Sequence, residues 1–325
     1  MPARRAVVKS LCLTALASAM PALAQSRRLR VAWLSFVGAS DGSTFLDELR
    51  QGLRQRGYIE GENLTLDAFW ADDSQDRLTE AVSRMIASAP DIIVSQGVAV
   101  NSVKRATPSI PVVFGYSGDP VEAGFVSSFA HPGGNMTGIS YLTIELVGKR
   151  LEILREAMPG LRRVAILAAP QHPGDKVERR ASASAASTLG IATTYFEARD
   201  STELTTAMSA MEKSGCDAVV MFPVQYVISQ RERIAAWAVR NRLPTISGWA
   251  QFADGGNFMS YGPNLHDCSA RMAFFVDRIA KGVHPADIPV ELPTRVEFVI
   301  NLKAAKALGV TVPPTLAVRA DRVIS

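Results

Sequence analysis

Cysteine is scarce in this 325-residue chain: Cys12, Cys216 and Cys268 are the complete set, and no two stand at C-x-x-C spacing. That excludes a small disulfide-stapled scaffold and a thiolate zinc site. Histidine is equally sparse, with His131, His172, His266 and His284 scattered and without metal-ligand spacing. Charge of one sign is not in excess, since 35 basic residues face 31 acidic ones, and no like-charge run is interleaved with aromatics. A nucleic-acid-binding face is therefore not expected. Catalytic signatures are missing as well. Gly115-Tyr116-Ser117-Gly118-Asp119 lacks the second glycine of a nucleophile elbow. Gly133-Gly134-Asn135-Met136-Thr137-Gly138 runs out of a turn into an extended segment, whereas a dinucleotide fingerprint opens a helix. There is no P-loop motif, so the chain is not expected to be an ATPase. The expectation is a protein that is not an enzyme and that holds neither metal nor cofactor.

What is present begins with a leader. Arg4, Arg5 and Lys9 precede the apolar run Leu11 to Ala19, and Ala22-Leu23-Ala24 is a small-x-small cleavage site. The run is shorter than the ~20 residues that span a bilayer. Residues 1–24 therefore read as a cleavable signal peptide, with cleavage near Ala24/Gln25 and export to the periplasm. Cys12 lies inside the apolar run without the context of a lipidated cysteine, so no lipid anchor is expected. Arg4-Arg5 also approximates a twin-arginine signal. Removing the leader lowers the formal charge from +4 to +1 and leaves Cys216 and Cys268, which admit one disulfide or two thiols.

About 300 mature residues exceed one typical core, so two domains are expected. Short β-branched runs at Leu29 to Phe36, Leu64 to Phe69, Ile92 to Ser95 and Val112 to Gly115 alternate with amphipathic stretches, one of them placing Phe45, Leu46, Leu49 and Leu53 at helical spacing. The rhythm repeats at Val164 to Leu167, Thr193 to Phe196, Ala218 to Phe222 and Pro244 to Ser247. Alternating strands and helices imply an α/β chain with two doubly wound parallel-sheet lobes. Leu302, Ala305 and Leu308 after Asn301 suggest a terminal helix.

In such sheets a ligand lies beyond the carboxyl ends of the strands. Three loops of the first half meet that condition. Ser35 to Thr44 is polar, with Ser43 or Thr44 as candidate helix caps, Asp41 suited to an ammonium and Ser35 nearby. Ser95-Gln96-Gly97 opens the next helix, and Gly97 permits close backbone approach. Tyr116 and Ser117 end the fourth strand, whereas Asp119 reads as a turn-former. From the second half, Phe222, Tyr226 and Trp249 offer flat apolar surface with polar handles. Each also fits plain core packing.

Several longer motifs run in order along the chain: GYIEGENLTLDAFWAD (57–72), GDPVEAGFVSSFAHPGGNMTGIS (118–140), KRLEILREAMP (149–159), RLPTISGWAQFADGGNFMSYGPN (242–264) and PADIPVELPTRVEFVINLKAAKALGV (285–310). Together they resemble a family of ABC-transporter substrate-binding proteins that includes tryptophan- and phenylalanine-binding receptors. The resemblance implies the periplasmic binding protein-like I fold, in which a multi-crossing hinge joins the lobes. Crossings are expected near Asn135 to Tyr141, near Gly255 to Ser260, and between Pro285 and Thr294. The N-terminal lobe would comprise 27–138 plus about 258–290, and the C-terminal lobe 139–257 plus about 291–325. The resemblance also implies a small organic ligand, an amino acid or an organic acid, and a membrane permease with a separate ATPase as partner to a monomer. Many relatives carry an acidic residue where this chain has Phe222, and a charged or bulkier stretch where it has Gly248-Trp249-Ala250-Gln251, so a ligand without an amine also fits. A sensor component feeding a membrane kinase or chemoreceptor is the alternative, with a periplasmic α/β enzyme behind it. Intact-mass measurement of the exported protein should place its N-terminus at Gln25, and an exported chain still beginning at Met1 would refute the leader.

Overall fold

The structure is a computed structural model, described for residues 28–141 and 144–325. The leader at 1–24 lies outside them. The first half runs β1 (Leu29–Ser35), α1 (Ala39–Arg54), β2 (Leu64–Trp70), α2 (Gln75–Ala87), β3 (Ile92–Gln96), α3 (Ala99–Ala106), β4 (Val112–Tyr116) and β5 (Met136–Ser140). These strands form one sheet in the order β2-β1-β3-β4-β5, parallel throughout. Strands buried on both faces read as continuous apolar runs. β1 and β3 do so, which is why spacing alone locates them.

The second half continues with α4 (Ile144–Ala157), β6 (Arg163–Ala168), α5 (Asp175–Leu189), β7 (Ala192–Glu197), α6 (Ser201–Lys213), β8 (Ala218–Met221), α7 (Gln225–Ser229), α8 (Arg231–Asn241), β9 (Thr245–Ser247), α9 (Ala250–Asp254) and β10 (Met259–Pro263). After α10 (Leu265–Ala280) come β11 (Val296–Asn301), α11 (Leu302–Leu308), α12 (Pro314–Arg319) and β12 (Arg322–Ile324). The second sheet is β12-β11-β10-β9-β8-β6-β7. It is mostly parallel, but β10 and β11 pair antiparallel, Met259 opposite Ile300. The fold is thus α/β with two parallel-dominated sheets, the arrangement the alternation of strands and helices implies.

The expected second crossing needs correction. Met259–Pro263 is hydrogen-bonded between β9 and β11 in the seven-stranded sheet, so the chain leaves that sheet only after Pro263. Gly255-Gly256, which suggested a passage, instead ends α9, with Gly256 at φ +93°. Asn264 caps α10 by accepting from the Asp267 amide at 2.9 Å. α10 then packs on α1 of the first half, where Gly52 lets the helices approach: a Cβ there would lie 2.6 Å from the Ala270 carbonyl and 2.8 Å from Ala273 Cβ. Beyond α10, Glu291 bridges to Ile139 beside β5, its amide donating to Gly138 O at 2.9 Å. Gly138 itself, at φ +152°, brings its backbone so close to Phe114 that a side chain would collide with it.

Cys216 and Cys268 are both free. Burial, with the charge of Asp267 second, pushes the Cys268 thiol up to about 12 and leaves it unreactive.

A buried ionic group holds the second half together. Arg150 on α4 is 1 % exposed; its Nε donates to the Tyr261 carbonyl of β10 at 2.9 Å, and its guanidinium faces Glu178 of α5 at 3.9 Å. Glu178 also meets His172 Nε2 at 3.2 Å. Truncating one member strands a buried charge, so Arg150→Ala should lower unfolding free energy by about 3 kcal/mol. Urea denaturation checks this, and a loss under about 1 kcal/mol would mean Glu178 finds another partner or a proton.

Candidate functional site

Parallel strands release their carboxyl ends on one side, and here both sheets do so toward a shared cleft. Within it lies a chamber of about 270 Å³. The first half supplies Trp33 and Ser35 of β1, Phe36 and Val37, then Ser40, Asp41, Thr44 and Phe45 of α1. Gln96, Gly97 and Val98 come from the β3–α3 corner, with Ser117 and Tyr141 after β4 and β5. The second half closes the opposite side with Ile228, Arg231, Trp249 and Gln251, and α10 adds Leu265 and His266. A neighbouring cavity of about 280 Å³ shares Phe36 and Val98 with the chamber and reaches Asp73, Arg105, Arg199 and Tyr226.

Two helix N-termini border the chamber without side-chain caps. α1 starts behind Gly38 and α3 behind Val98, and neither receives a capping hydrogen bond. The partial positive charge of a helix start favours a carboxylate there. Opposite charges meet across the cleft: Arg231 Nη1 donates to Asp41 Oδ1 at 3.2 Å, joining α8 of the second half to α1 of the first. Gln96 Nε2 donates to Ser269 Oγ at 3.0 Å and so ties the β3 corner to α10.

The structure brings most of the expected residues together. Ser35, Asp41, Thr44, Gln96, Gly97, Ser117 and Trp249 all line the chamber. Others go elsewhere. Ser43 is not among the lining residues, and neither it nor Thr44 caps α1, because the helix already begins at Ala39 behind an extended Gly38. Ser95 is fully buried and spends its hydroxyl on the Leu34 carbonyl at 3.2 Å. Tyr116 packs edge-on against Phe125 at 4.6 Å; side chains alternate along β4, so Tyr116 and Phe114 share the face turned from Ser117 and the chamber. Phe222 is fully buried and stands edge-on to Tyr195, part of the second core. Tyr226 lines the neighbouring cavity instead. Asp119 accepts from the amides of Val121 and Glu122 at 2.7 and 3.3 Å, the turn role its position suggests.

Trp33, Arg231 and His266 line the chamber without having been singled out by spacing, and Gln251 does so from the loop in which only Trp249 was a named candidate. Trp33 looks like any core residue of an apolar strand. Arg231 opens α8 and carries no sequence mark separating it from Arg233 or Arg240. His266 reaches the site because α10 returns to the first half, where its ring lies 5.3 Å from that of Phe45.

Residues 31–324 match the family model described as ABC transporter substrate binding protein. The chain belongs to this family. It is 23% identical over 269 residues to a tyrosine-binding protein of Clostridioides difficile (strain R20291), covering 81% of this chain and 77% of that one. Among solved structures, a conserved domain protein from Vibrio cholerae superposes with TM-score 0.86 at 24% identity, over 91% of this chain and 100% of that one. An ABC domain in complex with L-Trp, from Streptococcus pneumonia, gives 0.85 at 21% identity with the same coverage. This is a family of solute-binding proteins, not of enzymes, whose members bind small molecules and work with ABC-transporter permeases. Among the described residues, no helix is long and apolar enough to cross a membrane.

At the cleft edge, Asp73 sits in the left-handed region at φ +58°, next to Asp72 at φ +44°. Removal of its carboxyl from water, then the charges of Asp41 and Asp72, raise its pKa to about 6 against the opposing pull of Arg77. Because the folded state holds this proton more tightly than the unfolded chain, the stability it contributes is lost as pH rises from about 4 through about 6. A carbon-detected NMR titration of Asp73 should show a midpoint near 6, moving down in Asp41→Asn; a midpoint near 4 in the unsubstituted protein would refute this arrangement.

Proposed function

We propose that this protein is the exported receptor of an ABC importer, which captures an aromatic amino acid or a related aromatic organic acid between two lobes and presents it to a permease energised by a separate ATPase. Residues 28–141 with about 264–292 form one lobe, and 144–263 with about 295–325 the other. The observation that carries the reading is the chamber itself, walled from both sheets at their carboxyl ends and spanned by Arg231 and Asp41. A ligand touching both walls favours the closed arrangement over the open one and so shifts a hinge equilibrium.

The chemistry of the walls supports the ligand class. Trp33, Phe45 and Trp249 offer aromatic surface, and the uncapped starts of α1 and α3 offer partial positive charge to a carboxylate. Asp41 provides a carboxylate for an ammonium, so the amine does not depend on an acid at Phe222, which is buried in the core. The relatives named for tyrosine and solved with L-Trp point the same way. The leader directs the mature chain to the periplasm, as a monomer free to diffuse between solute and permease.

Native mass spectrometry of the mature protein, before and after mild unfolding, should release one aromatic amino acid or aromatic acid per chain. Absence of any such molecule, together with no thermal stabilisation by L-tryptophan, L-tyrosine or L-phenylalanine, would sink the ligand assignment. Trp249→Ala should weaken binding by about tenfold, from the apolar area it withdraws. Unchanged affinity would remove Trp249 from the site.

A further inference from the structure

Buried polar atoms in folded proteins nearly always have a hydrogen-bond partner, and an exception asks for an explanation. Among the described residues, two such exceptions stand on opposite walls of the chamber. Trp33 is 1 % exposed, lines the chamber from β1, and its indole Nε1–H has no acceptor. Gln251 lines it from α9, and its buried Oε1 has no donor. The chamber's charged pair and its other amide have partners: Asp41 and Arg231 meet each other, and Gln96 donates to Ser269.

Depth separates Trp33 from the helix starts of the first half. Trp33 stands two residues before Ser35, the last residue of β1, and at ~3.3 Å per residue it lies ~6–7 Å below the strand end. The N-termini of α1 and α3 lie beyond the strand ends, at the upper part of the chamber. A carboxylate head held there leaves the far tip of the solute beside Trp33.

We infer that the chamber reads a hydroxyl at the tip of an aromatic solute, the oxygen accepting from Trp33 Nε1–H of one wall and its proton donated to Gln251 Oε1 of the other. The inference rests on the receptor reading above and sharpens it from aromatic solutes to phenolic ones. A hydroxyl meets both requirements with one atom. A carboxylate between these two groups could accept from Trp33 but would leave Gln251 Oε1 without a donor, and it would have no unpaired cation beside it. A bare phenyl ring would leave both protein groups unpaired, and a site with unpaired polar groups rejects the analogue that lacks the partner.

The test is calorimetric titration of the mature protein, freed of bound solute, with L-tyrosine and L-phenylalanine, which differ only in that hydroxyl. The unsubstituted protein should bind L-tyrosine about tenfold more tightly or better, and the ratio should collapse toward one in Trp33→Phe. Gln251→Leu, on a separate element, should reduce the ratio independently, so a folding defect in the first variant does not decide the matter. Equal affinity for the two amino acids, or a preference that survives both substitutions, overturns the hydroxyl reading and leaves the receptor standing. Binding of neither overturns both the phenolic reading and the amino-acid assignment on which it rests.

Discussion

The packing of α10 against α1 is the constraint on which the arrangement of the cleft depends. Between β10 and β11, two neighbours in the second sheet, the chain leaves that sheet, lays sixteen residues along the first half, and comes back. Gly52 permits the close helix contact, and Tyr58 Oη, donating to Asp277 Oδ1 at 3.1 Å, ties down the far end. Burial and the neighbouring Asp277 carboxylate raise the Tyr58 phenol to about 12, so this contact keeps its proton through the physiological range. Residues from the last third of the sequence thereby become part of the first half. Leu265 and His266 join the chamber wall, and Ser269 fixes Gln96.

With α10 in place, three segments run side by side between the halves: the exit from β5, Asn264 at the head of α10, and the stretch after Glu291. Ion pairs join α10 to the last of these, Arg271 with Glu291 at 2.7 Å and Arg295 with Asp267 at 3.3 Å. Such partly exposed pairs are individually weak. Their effect is to hold α10 in register with the stretch after Glu291. The contact of Arg231 with Asp41 across the cleft is thus separate from the backbone connections between the halves.

The chamber combines apolar area with a limited set of polar groups, which suits capture and release. Trp33, Phe45, Trp249, Ile228 and Leu265 present apolar surface, and the helix starts and orphaned side chains present directional polar groups. One face of the second sheet packs on a core of its own, while the other shares a cluster with the first half. Phe222, Phe258 and Phe298 lie in a cluster beneath its sheet, and the buried Arg150–Glu178 contact joins two helices that never touch the chamber.

Strand periodicity, turn residues and the positions where strands end were legible in the sequence, because each is a local consequence of side-chain alternation and backbone preference. That is why Ser35, Gln96, Gly97, Ser117 and Trp249 were found from spacing: each follows, or nearly ends, a readable strand. The side chain's face was not legible at Tyr116, Phe222 and Ser95, where one residue of phase along a doubly buried strand separates cleft from core and both faces are apolar. Nor was the crossing after Pro263, since β10 reads like any short strand and its membership is set by its partners. The sequence by itself determined the α/β class, the two halves and the polar corners at the strand ends. Only the tertiary structure decided that Trp33, Arg231, Gln251 and His266 share a chamber, because contacts between residues far apart in the chain arise from packing and leave no local trace.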